Sequence, residues 1–276
     1  MATSVTESLL RRERLIVAAG LAVISALAWA YVLSGAGTGM SVRAMSRLAI
    51  SPGALTGGMA MSTEWSLAYW LVMLLMWWVM MVAMMLPSAA PTILLYSRVM
   101  RHEQSSGRAG IDVAPTADFA AGYLATWLGF SAIATLLQFA LERAGLVSSM
   151  MMWSLDPWLS AGVLLAAGLY QLTPLKQACL SHCRAPASFL SRHYRPGRSG
   201  ALVMGMHHGV YCVGCCWALM ALLFVGGIMN LLWIAGLATA VLAEKLLPFG
   251  IVPARILGIA CIAGAVWISA RAVGLA

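Results

Sequence analysis

From Arg198 to Glu244 the chain runs 45 residues without an Asp, Glu, Lys or Arg. As one helix that stretch would be about 68 Å long, roughly twice the ~30 Å hydrocarbon core of a bilayer. Gly226-Gly227 is the natural break, so it reads as two transmembrane helices. Other uncharged stretches recur: 28 residues between Arg14 and Arg43, 33 between Glu64 and Arg98, 23 between Asp118 and Glu142, and 19 between Asp156 and Lys176. A last one, 15 residues between Arg255 and Arg271, is extended by apolar residues from Ile251. The expected fold is all-α, a polytopic transmembrane helix bundle of about seven spans (six to eight as bounds). Composition closes the soluble alternatives: only 9% of residues are charged and 62% are hydrophobic, against about 25% charged in a soluble domain. Disorder needs low hydrophobicity and is excluded by the same numbers.

Basic residues set the expected orientation. With the N-terminus inside, the inner loops hold 13 Lys and Arg and the outer ones 4 (Arg43, Arg47, Arg143 and Arg271). The formal charge of +8 is thus spread over loops that set topology, and not over a groove for nucleic acid. The chain divides into one integral membrane domain over 1–276, with a short cytoplasmic segment at 1–13 and basic cytoplasmic loops at 98–117 and 176–200. The first apolar stretch is too long for a signal peptide and has no clear cleavage site, so it reads as a retained helix. Trp65, Trp153 and Trp158 are expected at the outer interface. No loop is long enough for a domain, so function lies in the helices and their mouths.

Five of six cysteines fall between Cys179 and Cys216. A disulfide framework is not expected without large loops, and Cys clustered beside His reads as metal or redox chemistry. On a helix, Met204, His208, Cys212 and Cys215 share a face within about 80°. His207 is adjacent, as is Cys216. Cys179 and Cys183, at i and i+4, share another face, with His182 beside them. Thiolate and thioether ligands favour Cu(I), and thiolate with imidazole also suits Zn. Packing competes with this reading, because buried Cys behaves as a small hydrophobe; adjacent His at membrane depth are harder to explain that way. A Thr173-Pro174 step is expected to kink the fourth span. Whether the two clusters form one site or two in series stays open.

Methionine is the third signal. Met73, Met76, Met80 and Met84 form a stripe along the second span, flanked by Met81 and Met85, and Met59, Met61 and Met150-Met151-Met152 fall in outer loops. Such a stripe packs a core equally well, but a neutral thioether can pass a soft cation without burying charge. Pro87 and Pro91 are expected to end or kink this span. Gly122, Gly129, Gly205 and Gly209 permit close helix approach, and Asn230 could bond across helices. Glu244-Lys245 reads as a local ion pair or as a group handling protons or cations. No phosphate loop, nucleophile elbow or catalytic acid pair is present, which points away from an enzyme.

Seven motifs occur in order: Trp78-Val-Met-Met-Val-Ala-Met-Met-Leu-Pro-Ser88, Gly122-Tyr-Leu-x-x-Trp127, Tyr170-Gln-Leu-Thr-Pro-Leu-Lys176, Cys179-Leu-x-x-Cys-Arg184, Gly209-Val-Tyr-Cys-Val-Gly-Cys-Cys-Trp217, Gly227-x-Met-Asn230 and Glu244-Lys-x-x-Pro248. Together, over roughly 65–270, they resemble the bacterial family of metal-binding integral membrane proteins known as domain of unknown function 2182. The resemblance implies a multi-pass protein of the bacterial inner membrane with a metal site at Cys179, Cys183, Cys212, Cys215 and Cys216; His207 and His208 are added from helical geometry.

Three functions are compatible with these residues. The first is handling of a soft metal, foremost Cu(I), in transport or in delivery to a metallochaperone or copper enzyme, with the Met stripe as relay. The second is membrane thiol–disulfide exchange through Cys212 and Cys215. The third is a non-catalytic assembly factor or subunit of a membrane complex.

Overall fold

The computed structural model describes residues 2–36, 64–105, 115–149, 152–249 and 251–274, and nearly all of them are helical. The helices are α1 (Ala2–Leu33), α2 (Leu67–Ser105), α3 (Thr116–Arg143), α4 (Pro157–Leu172), α5 (Pro174–Arg184), α6 (Pro186–His193), α7 (Gly197–Ala221), α8 (Leu223–Gly226), α9 (Leu231–Leu246) and α10 (Ile251–Ala272). The outer Met59, Met61, Met150 and Met151, and Arg43, Arg47 and Arg108 of the charge count, lie outside the described residues.

Large apolar side chains face outward along α1, α3 and α10, among them Leu27, Ile133, Ile256 and Val266, as a lipid-bathed surface requires. Five helical stretches are long and apolar enough to cross a membrane: Leu15–Leu33, Leu67–Arg101, Thr116–Arg143, Gly197–Gly226 and Ile251–Ala272. A sixth forms if α4 and α5 count as one span bent by 65°. The sequence expectation was about seven. The difference lies in α9, whose 16 residues reach only about 24 Å. The division after Gly226 is real: Gly227 adopts φ 96°, a left-handed conformation that side-chain-bearing residues avoid.

The Thr173-Pro174 step does more than kink the fourth span. Thr173 is extended (φ −73°, ψ 150°), which is where a residue preceding proline settles. Its hydroxyl then accepts from the Lys176 amide at 3.2 Å and caps a new helix. Proline at the first position of α5 costs no hydrogen bond. The region 176–200, expected as a loop, is therefore mostly helix, comprising the rest of α5, all of α6 and the start of α7. The expected segment 1–13 is likewise continuous with α1 from Ala2. Pro87 and Pro91, expected to end or kink α2, lie inside it, and the helix continues to Ser105.

Glycine brings α3 and α7 into backbone contact. A Cβ at Gly122 would sit 2.0 Å from the Leu202 carbonyl oxygen, and one at Gly205 2.0 Å from that of Phe119. Thr126 fills the next step against Gly209 and donates to the Gly122 and Met206 carbonyls. Gly129 has nothing near it and plays no such part. A second close pair, Gly168 with Gly258, locks α4 to α10.

These contacts predict a contrast in detergent thermal unfolding. Gly205→Ala must push α3 and α7 apart and lose stability by about 1–3 kcal/mol. Gly129→Ala meets open space and should be neutral or gain up to about 1 kcal/mol from helix propensity.

Candidate metal centre

The break at Thr173 turns α5 against the middle of α7, so the two cysteine clusters form one. The sulfur of Cys183 lies 3.9 Å from that of Cys215, and Cys183 is within interaction range of Cys212 as well. Cys179 packs on Gly214, where an added Cβ would come within 2.9 Å of its sulfur. Tyr170, one turn before the break, donates to the Gly214 carbonyl. Cys212, Cys215 and Cys216 are buried, Cys179 and Cys183 half-buried, and all are free thiols. Cys215 and Cys216 donate back to the Cys212 carbonyl at 3.1 and 2.9 Å, which satisfies their S–H groups within α7.

Met204, His208, Cys212 and Cys215 share a buried face, as their spacing predicts. His208 lies between the rings of Tyr123 and Phe189, and its Nδ1 has no hydrogen-bond partner. His207 is exposed, edge-on to His193, and stands apart from the sulfurs. His182 also turns away and stacks on Tyr211 at 4.2 Å. Cys261 is buried in α10 as packing.

Met73, Met76, Met80 and Met84 are all buried, so the stripe faces the bundle and not lipid. At one end Met73 accepts from Gln138 at 3.7 Å. At the other end the flanking Met85, and not Met84, touches the cluster: its sulfur lies 3.8 Å from that of Cys216.

Charged neighbours of the cluster escaped sequence reasoning. Lys245 is buried and donates to the Cys212 sulfur at 2.8 Å and to the Ser88 hydroxyl at 3.1 Å. Tyr123 reaches the same sulfur at 3.1 Å and donates to the Met85 carbonyl. The expected local pair Glu244–Lys245 does not form, since adjacent helical residues point in different directions. Glu244 instead pairs with Lys176 at 2.6 Å, with side chains 1% and 0% exposed, and accepts from Gln171 at 2.6 Å. Lys176 and Lys245 are thus core charges, and without them the expected charge bias falls from thirteen against four to eleven against four. The signal for them was present: ionisable residues beside apolar runs are functional by default inside a membrane.

Among the described residues no group of three or more His, Cys, Asp or Glu is arranged to hold a metal ion. Zinc takes four ligands, and a set of four would require the side chains to rearrange. Two thiolates fit a soft ion of low coordination number. Sulfurs 3.9 Å apart are close enough for one soft ion to reach both. The unpartnered His208 Nδ1 and the Met85 thioether are further donors suited to such an ion.

Two measurements check this geometry. A protein retaining only Cys183 and Cys215, the other cysteines replaced by Ser, should form an intramolecular disulfide under mild oxidation, read as a two-dalton mass loss, because the sulfurs need close only about 2 Å. One retaining Cys183 and Cys261 should not. Glu244→Ala, which strands Lys176 in the core, should destabilise the protein by about 3–5 kcal/mol in thermal unfolding.

No curated protein and no solved structure matches the chain. A protein-family model described as copper chaperone, PpoB2, matches residues 74–268. That stretch holds α3 to α9 entire, most of α2 and α10, and every cysteine in the chain. On that match the chain belongs to the PpoB2 copper chaperone family.

Proposed function

We propose that this protein takes Cu(I) as cargo within the membrane and hands it to a metallochaperone or copper enzyme. The carrying observation is the buried sulfur cluster: Cys183 and Cys215 lie 3.9 Å apart, Met85 touches Cys216, and the methionines of the α2 stripe are buried in the same bundle. Cys183 and Cys215 are the principal ligands in this reading. Cys179, Cys212, Cys216 and His208 complete the shell as the thiols rotate away from the Cys212 carbonyl. His207 is left out because it points outward. Weak neutral thioether sites leading to a stronger thiolate site give direction without trapping the ion.

The protein is read as a multi-pass component of the bacterial inner membrane with its N-terminus inside. In that orientation the stripe begins toward the outer face. The motifs from Trp78 to Pro248 that resemble domain of unknown function 2182 fall inside the residues matched by the copper chaperone family, and we read the two as one family. Thiol–disulfide exchange is the second reading, favoured by the Lys245 ammonium beside Cys212.

Elemental analysis of protein purified anaerobically under reducing conditions tests the proposal. Wild type loaded with Cu(I) should retain about one equivalent. Cys183→Ser/Cys215→Ser should lose it, and Cys261→Ser should keep it. Copper content unchanged in the double variant overturns the assignment. No copper in wild type transfers the case to thiol exchange, which redox trapping of Cys212 and Cys215 then checks.

A further inference from the structure

We infer that His193 and His207 form a second metal site, lined by imidazole and separate from the sulfur centre, for a divalent ion of borderline softness such as Zn(II) or Ni(II). The inference does not depend on the Cu(I) reading. It gives a use to His207, which the sulfur centre leaves outside.

The two rings come from different elements. His193 is the last residue of α6, and His207 lies in the middle of α7. Their ring centres are 5.9 Å apart, with the planes at 87°. Metal–nitrogen bonds of about 2.0–2.1 Å let one ion join nitrogens up to about 4 Å apart. His207 is exposed, so its side chain has room to turn toward its neighbour. His193 is already oriented. Its Nδ1 donates to the Phe189 carbonyl at 3.0 Å, and its ring stacks on that of Phe189 at 4.7 Å. The bond takes up Nδ1 and leaves Nε2 for another partner. Metal-binding histidines are commonly fixed in this way, the second ring nitrogen held by a carbonyl or carboxylate. His182 is bonded alike, to the Ala178 carbonyl at 2.8 Å, but the ring it meets is that of Tyr211 and not an imidazole.

The surroundings choose the ion. Between Asp156 and Glu244 the sequence has no acidic residue, and Asp118 is engaged by Arg198 at the start of α7. Nitrogen donors without carboxylates do not suit Mg(II) or Ca(II), whereas imidazole suits Zn(II), Ni(II) and Cu(II). Arg192 and Arg195, on either side of His193, are exposed, and exposed charge belongs where a membrane protein meets water, so a hydrated ion can reach the pair. Two protein ligands leave the other coordination positions to water. An ion held there ties the end of α6 to α7. Helix α6 buries Phe189 and Leu190, and Phe189 lies 5.2 Å from His208, so occupancy steadies the helix that covers the buried imidazole.

The test is binding of Zn(II) and Ni(II) by the purified full-length protein in a Cys183→Ser/Cys215→Ser background, read by equilibrium dialysis and elemental analysis. That background should bind about one equivalent of either ion. His193→Gln and His207→Gln should each weaken binding at least about tenfold, since losing even a group behind a ligand costs that much. His182→Gln should leave it unchanged. Bound ion should also raise the thermal midpoint, and only with both histidines present. A pair that merely packs would shift the midpoint of the variants without changing the metal bound. If the serine background does not elute as a single species, the same histidine variants with all cysteines intact give the answer as loss of one zinc equivalent. Binding unchanged in both glutamine variants, or no binding in a folded serine background, overturns the inference. Copper is not used, so no outcome bears on the Cu(I) reading.

Discussion

The Lys176–Glu244 contact joins the turned-in helix α5 to the core, where both side chains are shut off from solvent. Lys176 comes from α5 and Glu244 from α9. Separating them would leave two bare charges in a low-dielectric interior, which costs far more than the pair contributes. The bent course of α4 and α5 is thereby held, and with it the approach of Cys179 and Cys183 to α7. The Thr173-Pro174 break permits the turn; the buried ion pair keeps α5 in it.

On the other side of the cluster, glycine fixes the distance. Gly122 and Gly205 let α3 and α7 meet backbone to backbone, and Tyr123, next to Gly122, then reaches Cys212. Small residues often do this in membranes, where lipid gives helices no hydrophobic reason to associate and close packing must supply it. The sulfur cluster sits between two constraints of different kinds: an ion pair that tethers α5 and a steric fit that seats α3.

Much of this was legible in the residues. Uncharged runs gave most of the helices, the Thr-Pro step marked the break, and helical spacing placed Met204, His208, Cys212 and Cys215 on one buried face. What escaped was long-range. Lys176 reads as the first charge after a span until the 65° turn carries it inward, and Lys245 reads as the partner of its neighbour until Glu244 is found facing another helix. Periodicity reports which residues share a face but not which face meets it, so Met85, set aside as a flank of the stripe, is the methionine that touches Cys216. The seventh expected span turns on a related point: charge-free length does not reveal that α9 stops after 16 residues.

The length of α2 has a mechanical meaning. Its 39 residues make a rod of about 58 Å, and even tilted by 40° it projects about 45 Å along the bilayer normal. A hydrocarbon core of ~30 Å cannot contain it, and its last turns are covered by protein: Ile93, Tyr96 and Met100 are buried. The buried methionines and this packed end belong to one helix, with Pro87 and Pro91 between them, the residues at which a helix bends most readily. Whatever packs against the far end of α2 is therefore mechanically joined to the thioether row, and the two prolines set how stiff that joint is.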